Sequence, residues 1–188
     1  DAWGGQIDTL ANYFSVTAFD MPGHGSSPGL DVPSPDLSDY VTAMKHPLKD
    51  PTVVVGHSMG AMIALKLAFN KKVVGVVALN AVYQRSKSAQ DAVRKRAKEL
   101  VAASNVDPRP TLKRWFDDET STEAEMCEQL LSHVSIEEYR AAYNVFAQEN
   151  GPTAEELVAL KKPALFMTGG REPNSTPDMS IQMANLCE

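Results

Sequence analysis

The 188 residues carry a formal net charge of −6, with 43% hydrophobic and 22% charged side chains, the balance of a soluble globular chain with enough apolar material for a sizeable core. That acidic balance argues against a nucleic-acid partner, which asks for a basic face, and no apolar run reaches the roughly 18 to 20 residues that cross a bilayer. Cys127 and Cys187 fit neither a zinc site nor a disulfide framework and read as free thiols of a reducing, cytoplasmic compartment; no metal and no cofactor are expected.

In chain order, Trp3, Ile7 and Leu10 fall at helical spacing and predict a short amphipathic helix over residues 3–13. Phe14 to Phe19 reads as a strand, and Asp20-Met21-Pro22-Gly23-His24-Gly25-Ser26-Ser27 as a tight loop. A Pro- and Gly-rich connection over 28–35 leads to a modest helix from Leu37 to Met44. Thr52-Val53-Val54-Val55 is short, apolar and β-branched, the pattern of a strand buried on both faces. Ala61 to Phe69 is a buried helix, and Val73 to Leu79 a second strand of the same kind. Strand, helix and strand at this spacing form a βαβ unit and predict a parallel sheet.

From Tyr83 to about Asn150 strand signals vanish and helix starts accumulate. Ala89, Val93, Ala97, Leu100 and Val101 make one apolar stripe. Pro110 suits the first turn of a helix carrying Leu112, Trp115 and Phe116. Thr122 with Glu125, Ser135 with Glu138 and Thr153 with Glu156 have capping-box spacing. Ala164 to Thr168 is a further strand, Gly169 to Pro173 a turn, and Pro177 to Leu186 a final helix. The organisation is therefore a core over residues 1–82, a helical insertion over 83–150, and a return to the core over 151–188.

Gly56-His57-Ser58-Met59-Gly60 matches G-x-S-x-G. A serine in that setting sits on a sharp strand-to-helix turn, with its hydroxyl raised above the carboxyl edge of the sheet. Glycine at 56 and 60 lets strand and helix approach closely, and the amide of Met59, at the helix start, faces a developing oxyanion. The pattern follows a Val run and precedes an apolar helix, the context in which it signifies a nucleophile.

On these residues the chain resembles the α/β-hydrolase superfamily over essentially its whole length. Phe19 to Ser27 is similar to the D-x-x-G-x-G-x-S loop of that family, and the 83–150 insertion to its cap. Arg114-Trp115-Phe116 and Asn174 to Ser180 are similar in texture to enol-lactonase-like esterases. The resemblance implies an α/β fold with a mostly parallel sheet flanked by helices, incomplete as given. It implies a triad acid in the turn after the seventh strand, where Glu172 stands in place of the usual Asp, with Asp178 as the next candidate.

The same resemblance implies a third strand and a second oxyanion donor ahead of Trp3, and a base histidine beyond Glu188. A signal peptide or an earlier segment is compatible with a chain that opens on Asp1. None of His24, His46, His57 and His133 has the position of the base, which stays unassigned; His133, in the cap, is the nearest stand-in. Without the third strand, either a hole remains in the sheet or the strand at 14–19 pairs directly with that at 52–57. Direct pairing puts every connecting helix on one face and leaves only the helix at 3–13 for the other, so further polypeptide or a second chain is expected in the folded protein.

The expected function is hydrolysis of a small carboxylic ester or lactone through an acyl-enzyme on Ser58, with a homo-oligomer left open. The competing expectation is a truncated, non-catalytic module of the same fold that binds small molecules or a partner.

Overall fold

The computed structural model describes residues 2–48 and 51–187. The described chain divides into two compact units, one of residues 1–29 and 103–139, the other of residues 30–102 and 140–188.

The second unit is built on a three-stranded parallel sheet in the order β1-β2-β3, comprising Thr52–His57, Val73–Leu79 and Ala164–Met167. Runs of β-branched residues suit the pleated backbone of such a sheet. Helix α3 (Met59–Leu67) packs on β1 and β2, and its sequence MGAMIALKL buries seven of its nine residues. A helix apolar all round belongs in a core. Helix α2 (Leu37–Lys45) packs on α3 and starts with a reciprocal capping box between Asp36 and Asp39. Helix α8 (Ala154–Ala159) begins with the expected box between Thr153 and Glu156. Helix α9 (Pro177–Leu186) packs on β3.

The sheet is buried on one face only: β1 is not covered on both sides as its Val run suggested, and the bare face expected without a third strand is present. On β1, Val54 and Gly56 are buried while Val53, Val55 and His57 are exposed. The registers Val55↔Val77↔Leu165 and His57↔Leu79↔Met167 carry that open face across the sheet. Leu165 and Met167 are each 51% exposed on it. The expected strand at 14–19 does not form: those residues are irregular, and Phe14 and Phe19 are exposed. A strand exists only through a paired neighbour, and no strand among the described residues pairs with this one.

The ends of the 83–150 segment are tied to each other. Gln84 N donates to Asn150 O at 2.9 Å and Arg85 N to Asn150 Oδ1 at 2.7 Å. Gly151 has φ +90°, and a Cβ there would lie 2.1 Å from Val82 O. Arg85, 3% exposed, donates through Nη1 to Phe146 O and Glu149 O and lies 4.4 Å over the Phe146 ring. Burial pushes this guanidinium down to about 10.

Of the intervening helices, α4 (Lys87–Val101) buries Val93 alone from the expected stripe, and Val101 is exposed. Helix α5 (Arg109–Trp115) carries Pro110 in its first turn and buries Leu112, while Trp115 is exposed and Phe116 lies just past its end. Helix α6 (Thr122–Ser132) is capped by Ser121, one residue ahead of the expected Thr122. At the start of α7 (Ile136–Gln148), Ser135 Oγ accepts from Glu138 N at 3.4 Å but donates to Glu137 Oε2, so the expected reciprocal box with Glu138 is half made.

In the first unit, α1 (Gly4–Ala11) buries no residue, and α5 packs on α6. Asp20 closes the glycine loop by accepting from Ser26 N at 3.0 Å and Ser26 Oγ at 3.2 Å. No helix among the described residues is long and apolar enough to cross a membrane.

Candidate active site

The site is laid out along the carboxyl edge of the sheet. β1 ends at His57, α3 begins at Met59, and Ser58 alone makes the turn between them, with φ 55° and ψ −117°. Positive φ is unfavourable for a residue with a Cβ and costs on the order of 1–3 kcal/mol. Burial of α3 on one side and the β1–β2 ladder on the other hold it there. Ser58 N donates to Leu79 O at 2.8 Å, fastening the turn to the end of β2. Ser58 O accepts from Ala61 N at 3.0 Å, starting the helix. Met59 then occupies the first helical position, where an amide has no partner within the helix and an anion is favoured.

The two motif glycines differ. A Cβ at Gly56 would lie 2.0 Å from Gly60 O and 2.7 Å from Ala61 N, both backbone atoms, so the crossing of strand and helix requires glycine there. A Cβ at Gly60 meets nothing within 4 Å among the described residues. The expectation of close approach at both positions is corrected to Gly56 alone.

Glu172 lies in the turn after β3, where its amide donates to Gly169 O at 3.0 Å. Its Oε1 accepts from Asn174 N at 2.9 Å and from Asn174 Nδ2 at 3.2 Å. The negative charge of Glu172 is felt at His57, the neighbour of the candidate nucleophile. Withdrawal of water by the protein around its ring holds the His57 imidazole below its usual value, and Glu172 opposes that shift. His57 is nonetheless exposed on the open face of the sheet. The fold thus brings the turn at Ser58 and the turn at Glu172 into electrostatic range, although 114 positions separate the two residues in the chain.

No imidazole hydrogen bonds to Ser58 among the described residues. His24 Nδ1 bonds to Pro22 O at 3.1 Å, and His133 Nδ1 to Gln129 O at 2.6 Å at the end of its own helix. His46 is the C-cap of α2. Asp178 sits in the first turn of α9, a placement suited to a carboxylate that complements the helix dipole. No cluster of three or more potential metal ligands occurs among the described residues. Asn174, which braces Glu172, escaped sequence reasoning. Its only signal is an Asn two residues after an acid, a spacing at which side chains commonly bond locally.

The family model of the alpha/beta hydrolase family matches residues 1–185. The chain belongs to that family. A relative from Acinetobacter baylyi (strain ATCC 33305 / BD413 / ADP1), (E)-2-((N-methylformamido)methylene)succinate hydrolase, is 34% identical over 98% of this chain and 73% of its own length. Among solved structures, a hydrolase from Pseudomonas aeruginosa PA01 superposes with a TM-score of 0.85 at 16% identity, over 98% of this chain and 72% of the other. The enol-lactonase from Burkholderia xenovorans LB400 superposes with a TM-score of 0.84 at 20% identity, over 99% and 74%. These matches support a hydrolase of small substrates on the α/β-hydrolase fold.

Proposed function

We propose that this hydrolase cleaves a small carboxylic ester or lactone through an acyl-enzyme on Ser58. The observation that carries the reading is the positive φ of Ser58 at the junction of β1 and α3. A serine that served only packing would need no such conformation, whereas a nucleophile raised above a sheet edge does. In the reaction Ser58 Oγ bonds to the acyl carbon as a histidine takes its proton. The amide of Met59 steadies the carbonyl oxygen as it becomes anionic. The alkoxide of the ester or lactone then leaves and takes that proton, and water releases the acyl group by the same path. Glu172 holds the imidazole in the tautomer and orientation this requires. The 83–150 segment takes the part of the cap.

Fluorophosphonate labelling of the full-length protein tests the assignment. Ser58 is the expected adduct, and Ser58→Ala should abolish labelling and lower turnover by about 10⁴-fold or more. Label on Ser26 or Ser27, or label that survives Ser58→Ala, overturns it. Failure to label at all favours the non-catalytic module. The substrate panel pairs p-nitrophenyl esters and simple lactones with carboxylate-bearing amides, the last prompted by the named substrate of the Acinetobacter relative.

A further inference from the structure

Nine residues link the end of β3 at Met167 to the start of α9 at Pro177, and they hold their own shape. Thr168 Oγ1 donates to Ser175 O across the base of the loop. Ser175 is 2% exposed, which pins the loop's far end, and Thr176 caps α9 by accepting from Met179 N at 3.4 Å. Within this frame the Glu172 amide donates to Gly169 O. The carboxylate is therefore carried on a loop closed by its own bonds.

Asn174 adds a specific arrangement to that frame. Its backbone amide and its side-chain Nδ2 both donate to Oε1 of Glu172. Oε2 accepts from none of the described residues. A carboxylate that orients an imidazole needs this division, with one oxygen fixed so that the group cannot rotate and the other open to the ring N–H. The backbone amide alone would leave the carboxylate able to turn about its last bond. A second donor on the same oxygen opposes that turn and adds no charge beside the acid.

We propose that Asn174 is the positioning residue of the site, its carboxamide locking Glu172 so that Oε2 is presented to the base. This rests on Glu172 acting as the triad acid. Two ionisable groups bear on the pair: His57, which feels the Glu172 charge, and Arg171, the chain neighbour of Glu172. Aspartate at 174 would set a second negative charge against the carboxylate in place of a donor, favouring the protonated imidazole.

Steady-state kinetics with p-nitrophenyl acetate across pH, on full-length protein, test the proposal. Asn174→Ala should lower kcat by about tenfold with KM unchanged, the size of effect an outer-shell orienting partner commonly has. Asn174→Asp should lower kcat further and move the acidic limb of the kcat/KM profile to higher pH. A merely structural role would lower the thermal midpoint without moving that limb. Should Asn174→Ala fold poorly, Asn174→Asp, which keeps the side chain's size, decides the matter through the pH profile. If Glu172→Gln loses activity while both Asn174 variants keep wild-type kcat and an unmoved limb, the role of Asn174 is overturned alone. If Glu172→Gln keeps its kcat, the acid assignment beneath it fails instead.

Discussion

The two faces of the sheet are built from equally apolar residues and have opposite fates. Under α3, Val54, Val76 and Ala78 are buried. On the other side Val53 is 56% and Val55 47% exposed, although both belong to the same Val run as Val54. Composition therefore does not distinguish the faces; what distinguishes them is the helix that happens to lie on one. The candidate site straddles the division, because Gly56 points to the packed side and His57 to the open one, with Ser58 at the turn.

The contrast between packed and open sides is broken most severely at Gly56. Gly56→Ala sets a Cβ against the backbone of Gly60 and Ala61, which cannot yield without moving α3. We expect a loss of about 3 kcal/mol or more in urea-induced unfolding, beyond the usual cost of overpacking because backbone is struck. Gly60→Ala, with open space around it, should fall within about 1 kcal/mol of the parent and can be stabilising. Equal losses at 56 and 60 would contradict the close crossing of β1 and α3 at Gly56.

A second contrast concerns Val76 and Val55. Val76→Ala removes two methyls from a site 2% exposed and should cost about 2 kcal/mol. Val55→Thr, on the open face, should cost about 0.5 kcal/mol or less in residues 1–188. The same face should make residues 1–188 self-associate in sedimentation, and Val55→Lys with Leu165→Lys should relieve it. A well-protected monomer from residues 1–188 would show that this face is not sticky.

The smallest effect is expected at His57. Its folded-state value lies below the ordinary 6.5 because protein around the ring disfavours the charged form, with Glu172 in partial opposition. The folded state then binds fewer protons than the unfolded chain below about pH 6.5, so stability is present above that value and falls as pH drops through the folded-state value. Denaturation midpoints followed over this range should flatten in His57→Gln. A parent whose midpoint does not fall, or a variant with the same slope, would remove His57 from the account.

Much of the core was legible locally. The Val run of β1, the apolar helix after Gly60 and the second Val-rich strand signal themselves through side-chain type over short windows. The Thr153–Glu156 box was readable because both partners lie within one turn of helix. At α6 the same logic slipped by one residue, since Ser121 and Thr122 offer the same chemistry and only the entry path of the chain chooses between them. The stripe on α4 was a true periodicity with little to bury against, so Val93 is its one buried member.

By itself, then, the sequence determined the α/β character, the parallel βαβ unit and the place of Ser58 between a strand and a helix, because each depends on residues within a few positions of one another. Only the tertiary structure decided that residues 14–19 are not a strand, that Val53 and Val55 rather than Val54 lie on the open face of the sheet, and that Gly56 rather than Gly60 is sterically compelled. It alone set the charge of Glu172 within reach of His57 and both donors of Asn174 on one carboxylate oxygen. Pairing, burial and electrostatic coupling act through space between groups distant in sequence, and no local pattern encodes which distant group arrives.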